Sequence, residues 1–313
     1  MKIKTRRIIN VNLIQNRIMK KTNCYKLLSL LFIGISILSY KTEDKKDEKK
    51  IAEAKIETAE PKVWEVDFLD DFDTFNSDNW QDQRIWVNNE THCYVPNNEH
   101  GTREVSNGSL KIKVINVGEK ISCDNMDKHG KQHPDTQYVA GRIASKNRKE
   151  FVKGKWTARL KLSSNGEPSM FPAWWLLGAQ NNEPPVQEED ENVCWPMTGS
   201  GEIDVFEHHG DHQKNHFTTG AIKSLGECDK GDWWSLRKGF DATLNEYHDY
   251  SVEWEGSDLV YRVDDKEVYR NVGEGDKYPE AMFAILNFAK ITDAPMEGEW
   301  VMEVDRVKHE FRK

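Results

Sequence analysis

Three acidic residues stand close together in Gly201-Glu202-Ile203-Asp204-Val205-Phe206-Glu207, the most informative segment of the chain. On a regular strand Glu202 and Asp204 share one face, while Ile203 and Val205 pack under the other. Glu207 then has the wrong parity. One extra residue, a β-bulge near Val205-Phe206, returns Glu207 to the face of Glu202 and Asp204. On a helix the same spacing scatters the three acids. Crowded carboxylates raise one another's pKa, which suits a reaction that needs one carboxylate ionised and another protonated. Glycoside hydrolysis is such a reaction. The ionised group attacks the anomeric carbon and the protonated one gives its proton to the leaving oxygen, with the two about 5–5.5 Å apart in a retaining enzyme. A middle Asp can hold the nucleophile by a hydrogen bond. Two plainer readings compete. A solvated acidic face accords poorly with the apolar partners Ile203, Val205 and Phe206. Metal ligation by Glu207, His208 and His209 is opposed by the alternation of neighbouring strand residues.

The elements that must position these acids read as strands. Leu110–Ile115 alternates with period two after Asn107-Gly108, and Lys155–Leu162 does the same after Gly154. Tyr250–Trp254 and Leu259–Val263 flank Glu255-Gly256-Ser257-Asp258, a hairpin signal. Asp264-Asp265 turns into Lys266–Tyr269, and Trp300–Val307 lies near the end of the chain. Many short strands with no long segment of helical period indicate an all-β sandwich or jelly roll. The acidic, Pro-containing stretch 181–193 is a long loop just before the acid strand, where binding sites are often built.

Composition narrows the function. The 313 residues carry a net charge of −9, but residues 1–41 hold nine Lys and Arg and no acid, so the rest balances at −18. So acidic a remainder excludes general nucleic-acid binding and disfavours a strongly sulfated partner. Lys20, Lys21 and Lys26 precede the apolar run Leu27–Leu38, the layout of a secretory signal with Met19 as its start. The run is too short to span a membrane comfortably. At the end of that run, Tyr40 stands where a lipoprotein junction would carry Cys, so membrane attachment is left open. The expected division is a signal segment over 1–40, a charged linker over 41–62 and one domain over 63–313. The expected location is extracellular, periplasmic or at the cell surface. Cys93, Cys123, Cys194 and Cys228 remain after the signal, an even number for an oxidising setting. Three pairings are open, with free thiols as the alternative. Cys93–Cys123 and Cys194–Cys228 are favoured, each closing a loop of about 30 residues and contributing roughly 3 kcal/mol. Eleven tryptophans fit core packing or a sugar cleft, and most are assigned to the core.

The acid segment resembles the signature of glycoside hydrolase family 16 in its Glu-x-Asp-x-x-Glu, β-bulge form. The resemblance runs over roughly residues 64–311. Asn88-Asn89-Glu90 with Tyr94, Gly141-Arg142-Ile143, Gly154–Leu162, Pro172–Gly178, His248–Trp254 and Ile285–Ala289 are similar to segments of bacterial laminarinases, in the same order. It implies a jelly roll with a cleft on its concave sheet and a retaining, endo-acting enzyme. Glu202 would be the nucleophile, Asp204 its support and Glu207 the acid/base. Trp195 would stack near the cleaved bond. Trp175 and Asn89 would hold sugars on the glycone side, with Arg142 lending a charged hydrogen bond and Asn287 also binding substrate, although Trp175 also suits the core and Arg142 a structural ion pair. Trp233-Trp234 is read as a loop pair, either a sugar platform or a cap beside a disulfide. Three departures touch the loops. Two extra residues follow Trp195-Pro196, Thr219–Lys223 lacks the two histidines of the usual strand, and Lys290-Ile291-Thr292 replaces a Gly-Gly.

The expected substrate is therefore a β-1,3-glucan. A red-algal galactan (agar, porphyran or carrageenan) is the nearest alternative, and a non-catalytic glycan-binding protein is the alternative of another class. Lys223 and Lys290, taken as near the cleft, lean toward galactan. No catalytic cofactor is expected, structural calcium is left open, and a monomer is expected.

Overall fold

The computed structural model describes residues 63–163, 166–210, 214–224, 228, 233–296 and 298–313. The signal segment, the linker and the question of membrane attachment lie outside the described residues. The strands are β1 (Trp64–Asp70), β2 (Gln81–Asp82), β3 (Cys93–Tyr94), β4 (Arg103–Ser106), β5 (Ser109–Ile121) and β6 (Thr136–Ala140). There follow β7 (Arg142–Ala144), β8 (Glu150–Phe151), β9 (Gly154–Leu162), β10 (Met170–Gly178), β11 (Glu202–Glu207) and β12 (His216–Ser224). The last six are β13 (Trp233–Asp241), β14 (His248–Glu255), β15 (Asp258–Val263), β16 (Lys266–Asn271), β17 (Met282–Lys290) and β18 (Glu299–Arg312). Every alternating run read from the sequence lies within one of them.

Two sheets form a jelly-roll sandwich. The outer sheet has the order β16-β15-β14-β9-β18-β5-β6-β3, with β1 beside β18 and β4 beside β5. The inner sheet runs β13-β12-β11-β10-β17-β7-β2, with β8 on β17. Alternation sends one side of each strand into the space between the sheets. Trp156 and Trp254 from the outer sheet meet Trp174, Leu176, Ile203 and Phe206 from the inner one, all buried. Six of the eleven tryptophans (Trp80, Trp86, Trp156, Trp174, Trp254 and Trp300) are buried, so packing claims the majority, as expected.

Both favoured disulfides are present. Cys93–Cys123 and Cys194–Cys228 have Cα separations of 5.7 and 6.1 Å, within the ordinary range for a bridge. The first ties β3 to the end of β5. The second anchors the loop that carries Trp195.

That loop, between β10 and β11, is fastened from beneath. Lys146, buried, donates to the carbonyls of Ala179 and Asn181 and pairs with Glu191 at 3.7 Å. Asn181 donates to Ser200 Oγ at 2.6 Å, and Asn147 donates to the carbonyl of Pro185 at 2.9 Å. A long connection with its backbone groups satisfied in this way is a built wall of the cleft.

Candidate active site

The acid strand β11 is central in the inner sheet, and its register breaks where parity requires. Against β10, Asp204 lies opposite Trp175 and Phe206 opposite Trp174, so Val205 is the extra residue. Against β12, Asp204 faces Gly220 and Glu207 faces Thr218, three steps on one strand for two on the other. Ile203, Val205 and Phe206 are buried in the core. The bulge therefore keeps the apolar side chains inward and sets Glu202, Asp204 and Glu207 on the concave face. On that face Gly220 must lack a side chain, since a Cβ there would lie 2.0 Å from the carbonyl oxygen of Leu236.

Each acid has its own partners. Trp195 Nε1 donates to Glu202 Oε2 at 2.8 Å. Arg237, on β13 opposite Gly220, donates from Nε and Nη2 to Asp204 Oδ2 at 3.1 and 3.0 Å. The same guanidinium lies 3.6 Å from Glu202 Oε1 and 3.4 Å from Glu207 Oε2. Thr218 Oγ1 donates to Glu207 Oε2 at 3.4 Å. Burial, then the charge of Asp204, pushes the Glu207 carboxyl up to about 8. Glu202 is raised well above the usual carboxylate range, by burial first, then by the Asp204 charge and a hydrogen bond shared with Asp204. Two carboxyls that stay protonated far above their ordinary range, beside a third held by a guanidinium, can pass protons near neutrality.

Residues 86–310 match the family model described as glycosyl hydrolases family 16. The chain belongs to this family. It is 27% identical over 190 residues to a glucan endo-1,3-beta-glucosidase A1 of Niallia circulans, covering 59% of this chain and 24% of that protein. A beta-glucanase of Rhodothermus marinus is 27% identical over 148 residues, covering 46% of each chain. The chain thus spans less than half the length of these curated relatives. Among solved structures, LamAcat from Zobellia galactanivorans is 27% identical with a TM-score of 0.64, covering 79% of this chain and 97% of that one. A LamA variant from the same organism, in complex with laminaritriose and laminaritetraose, is 26% identical with a TM-score of 0.66, covering 79% and 98%.

The other residues singled out for this family 16 site fall into two groups. Trp175 and Trp195 are both partly exposed and pack on one small apolar cluster of Ala144, Leu177, Phe283 and Ile285. Trp174 takes the core position and Trp175 the cleft, as alternation demands. Asn89 is exposed in a left-handed turn with Asn88. Arg142 and Asn287, in contrast, are buried behind the tryptophan. Arg142 bonds Gln83 and Glu183 at 2.8 and 2.7 Å, with its guanidinium 5.1 Å from the Trp175 ring centroid. Asn287 Oδ1 accepts from Trp175 Nε1 at 2.7 Å, and Asn287 Nδ2 donates to the Tyr94 hydroxyl at 3.1 Å. Both residues fix the ring of Trp175. Trp233 and Trp234 open strand β13 instead of sitting in a loop. Their side chains lie outside the described part of the molecule, so the platform reading of Trp233 falls there too.

Two lysines are not where the sequence reading put them. Lys223 has the parity of the buried Ala221, away from the acids, and pairs with Glu274 at 2.7 Å. Lys290 is fully buried, with Nζ on the carbonyls of Thr292 and Ala294 and 4.3 Å from the Tyr138 ring centroid. It caps its own loop. Among the described residues, no group of three or more His, Cys, Asp or Glu is arranged to hold a metal ion, so the calcium expectation finds no ligand set there.

Arg237 was missed by sequence reasoning. Its parity is readable within Ser235–Phe240, but its contact with the acids depends on the pairing of β11 to β12 and of β12 to β13, which no local pattern encodes.

Beside Tyr94, Glu90 is buried, accepts a long 3.5 Å bond from the tyrosine hydroxyl, and leaves Oε2 without a partner. Burial raises its carboxyl to about 8. With the folded pKa above the unfolded value of 4.5, the native state binds the extra proton, so stability is full below about 4.5 and is lost as pH rises toward about 8. Glu90→Gln mimics the protonated form. Its stability relative to the parent should rise between pH 5 and pH 8 by on the order of 2 kcal/mol, read from urea unfolding at the two pH values. A difference independent of pH would mean that Glu90 is ionised in the native state.

Proposed function

We propose that this protein is a retaining endo-β-1,3-glucanase. Glu202 is the nucleophile, Asp204 its support, and Glu207 the general acid/base. The observation that carries this reading is the bulge at Val205, which brings Glu207 to the face of Glu202 and Asp204 while Trp195 donates to Glu202. The ionised form of Glu202 has N–H partners on both oxygens, Trp195 and the more distant Arg237. In the first step Glu202 forms a bond to the anomeric carbon, the glycosidic C–O bond breaks, and Glu207 passes its proton to the leaving oxygen. In the second step water attacks that carbon, Glu207 takes its proton, and the bond to Glu202 breaks. Carboxyls alone balance both steps, so no cofactor enters. Trp175 and Trp195 offer flat apolar faces to sugar rings on the glycone side.

Support for a neutral glucan comes from the relatives, whose names specify 1,3-β-glucan and laminari-oligosaccharides. The two lysines that leaned toward galactan lie off the acid-bearing face. Export is part of the same proposal, supported by the signal-like segment and by two disulfides.

The test is hydrolysis of a panel of β-1,3-glucan, mixed-linkage glucan, agar, porphyran and carrageenan, with products resolved by size. Internal cleavage of the β-1,3-glucan, with retention of anomeric configuration, is expected. Cleavage of a galactan alone would transfer the mechanism to that substrate. Binding without cleavage of any polymer would favour the glycan-binding reading.

A further inference from the structure

We propose that Arg237 is the shared counter-ion of the three acids, a positioning residue that keeps their charge balanced while negative charge passes from Glu202 to Glu207. The inference rests on the roles proposed above for the two glutamates. One guanidinium reaches all three carboxyls, bonding Asp204 at 3.0 Å and lying 3.6 Å from Glu202 and 3.4 Å from Glu207. Asp204 is 1% exposed and Glu207 is 4% exposed, so little solvent screens them.

The near-equal distances matter for the reaction. As Glu202 forms its bond to carbon it loses its charge, and as Glu207 gives up its proton it gains one. The total charge of the cluster does not change in this step. A cation close to one end only would favour one side of the transfer. Arg237 stands between the ends and favours the ionised form of each. Its two donors on Asp204 hold it there, and a planar fork is suited to this where an ammonium is not.

Among the described residues, the groups around Arg237 are few. From β11 they are Glu202, Asp204 and Glu207. From β12, Gly220 lies opposite and Thr218 reaches Glu207. The phenols of Tyr261 and Tyr278 bond the carbonyls of Gly220 and Ile222 and feel the Asp204 charge. Glu274 and Glu280 act on Tyr278. On β13 itself, Lys238 faces away, over Phe240 and Tyr269. Among these described groups Arg237 is the cation in contact with the acids.

The test compares Arg237→Met, Arg237→Gln and Arg237→Lys with the parent in two measurements. The first is titration of the Glu202 and Glu207 carboxyls by carbon NMR without substrate, assigned with the corresponding glutamine variants. An opposite charge at this distance lowers a carboxyl pKa by about 1–3 units, and partial exposure of the arginine puts the effect near the low end. Both midpoints should therefore rise by about one unit in the Met and Gln variants and by less in the Lys variant. The second is the pH profile of kcat/KM on the polymer that the parent cleaves. Both limbs should move to higher pH, with kcat down about 100-fold, KM nearly unchanged, and partial recovery in Lys. Unmoved carboxyl midpoints in a variant that melts cooperatively would overturn the proposal. So would moved midpoints with unmoved limbs. If the parent cleaves no polymer, the glucanase reading fails by itself, and the carboxyl titration still decides whether Arg237 is the counter-ion.

Discussion

Replacing Glu202 by glutamine is expected to lower polysaccharide turnover by at least about 10³-fold, the scale on which loss of a covalent nucleophile acts. The amide keeps the shape of the carboxylate, and its oxygen can still accept from Trp195 Nε1. It cannot become the ionised oxygen that bonds to carbon. The fold should survive, because Glu202 is only part-buried and its packing neighbours on β11, Ile203 and Val205, are untouched. Initial rates on the cleaved polymer, with a thermal melt of both proteins, provide the check. Activity within tenfold of the parent would place the nucleophile elsewhere.

Replacing Glu207 by alanine should give a different signature, because its two tasks fall in different steps. Turnover of polymer should fall by about 10²–10⁴-fold, the usual worth of a positioned acid/base. A β-glucoside carrying an acidic phenol as leaving group needs little protonation, so its first step should remain fast. Release from Glu202 then lacks a base to activate water. A burst of phenol close to one equivalent of enzyme is expected, followed by a slow phase, with the protein gaining the mass of one glycosyl unit. Equal loss on both substrates with no burst would sink this assignment. In the parent, kcat/KM should fall as pH rises through about 8, where Glu207 gives up its proton. The acid limb should lie above the ordinary carboxylate range, since Glu202 is raised as well. Glu207→Gln should abolish the alkaline limb.

Much of this site was legible before any coordinates. Period-two alternation located the strands because a sheet exposes alternate residues to unlike environments, and that pattern is written locally. The same parity rule demanded one extra residue between Asp204 and Glu207, and the register shift falls at Val205. Cysteine count and loop length favoured the two bridges that form. The ordered segments from Asn88 to Ala289 pointed to the family.

What the sequence left open depends on which strands become neighbours. Arg237 follows Glu202 by thirty-five positions and meets it across two strand pairings, so its role depends on a register set by the whole sheet. Lys223 and Lys290 read as close to the cleft but turn to the opposite side, where Glu274 and backbone carbonyls take their charge. Arg142 and Asn287 read as sugar contacts, yet burial makes them the support of Trp175. Residue type and spacing on one strand determined the chemistry that the acids can do, because strand parity is local. Only tertiary packing decided which cation balances them and which polar groups reach the cleft, because burial and cross-strand register belong to the assembled sheets.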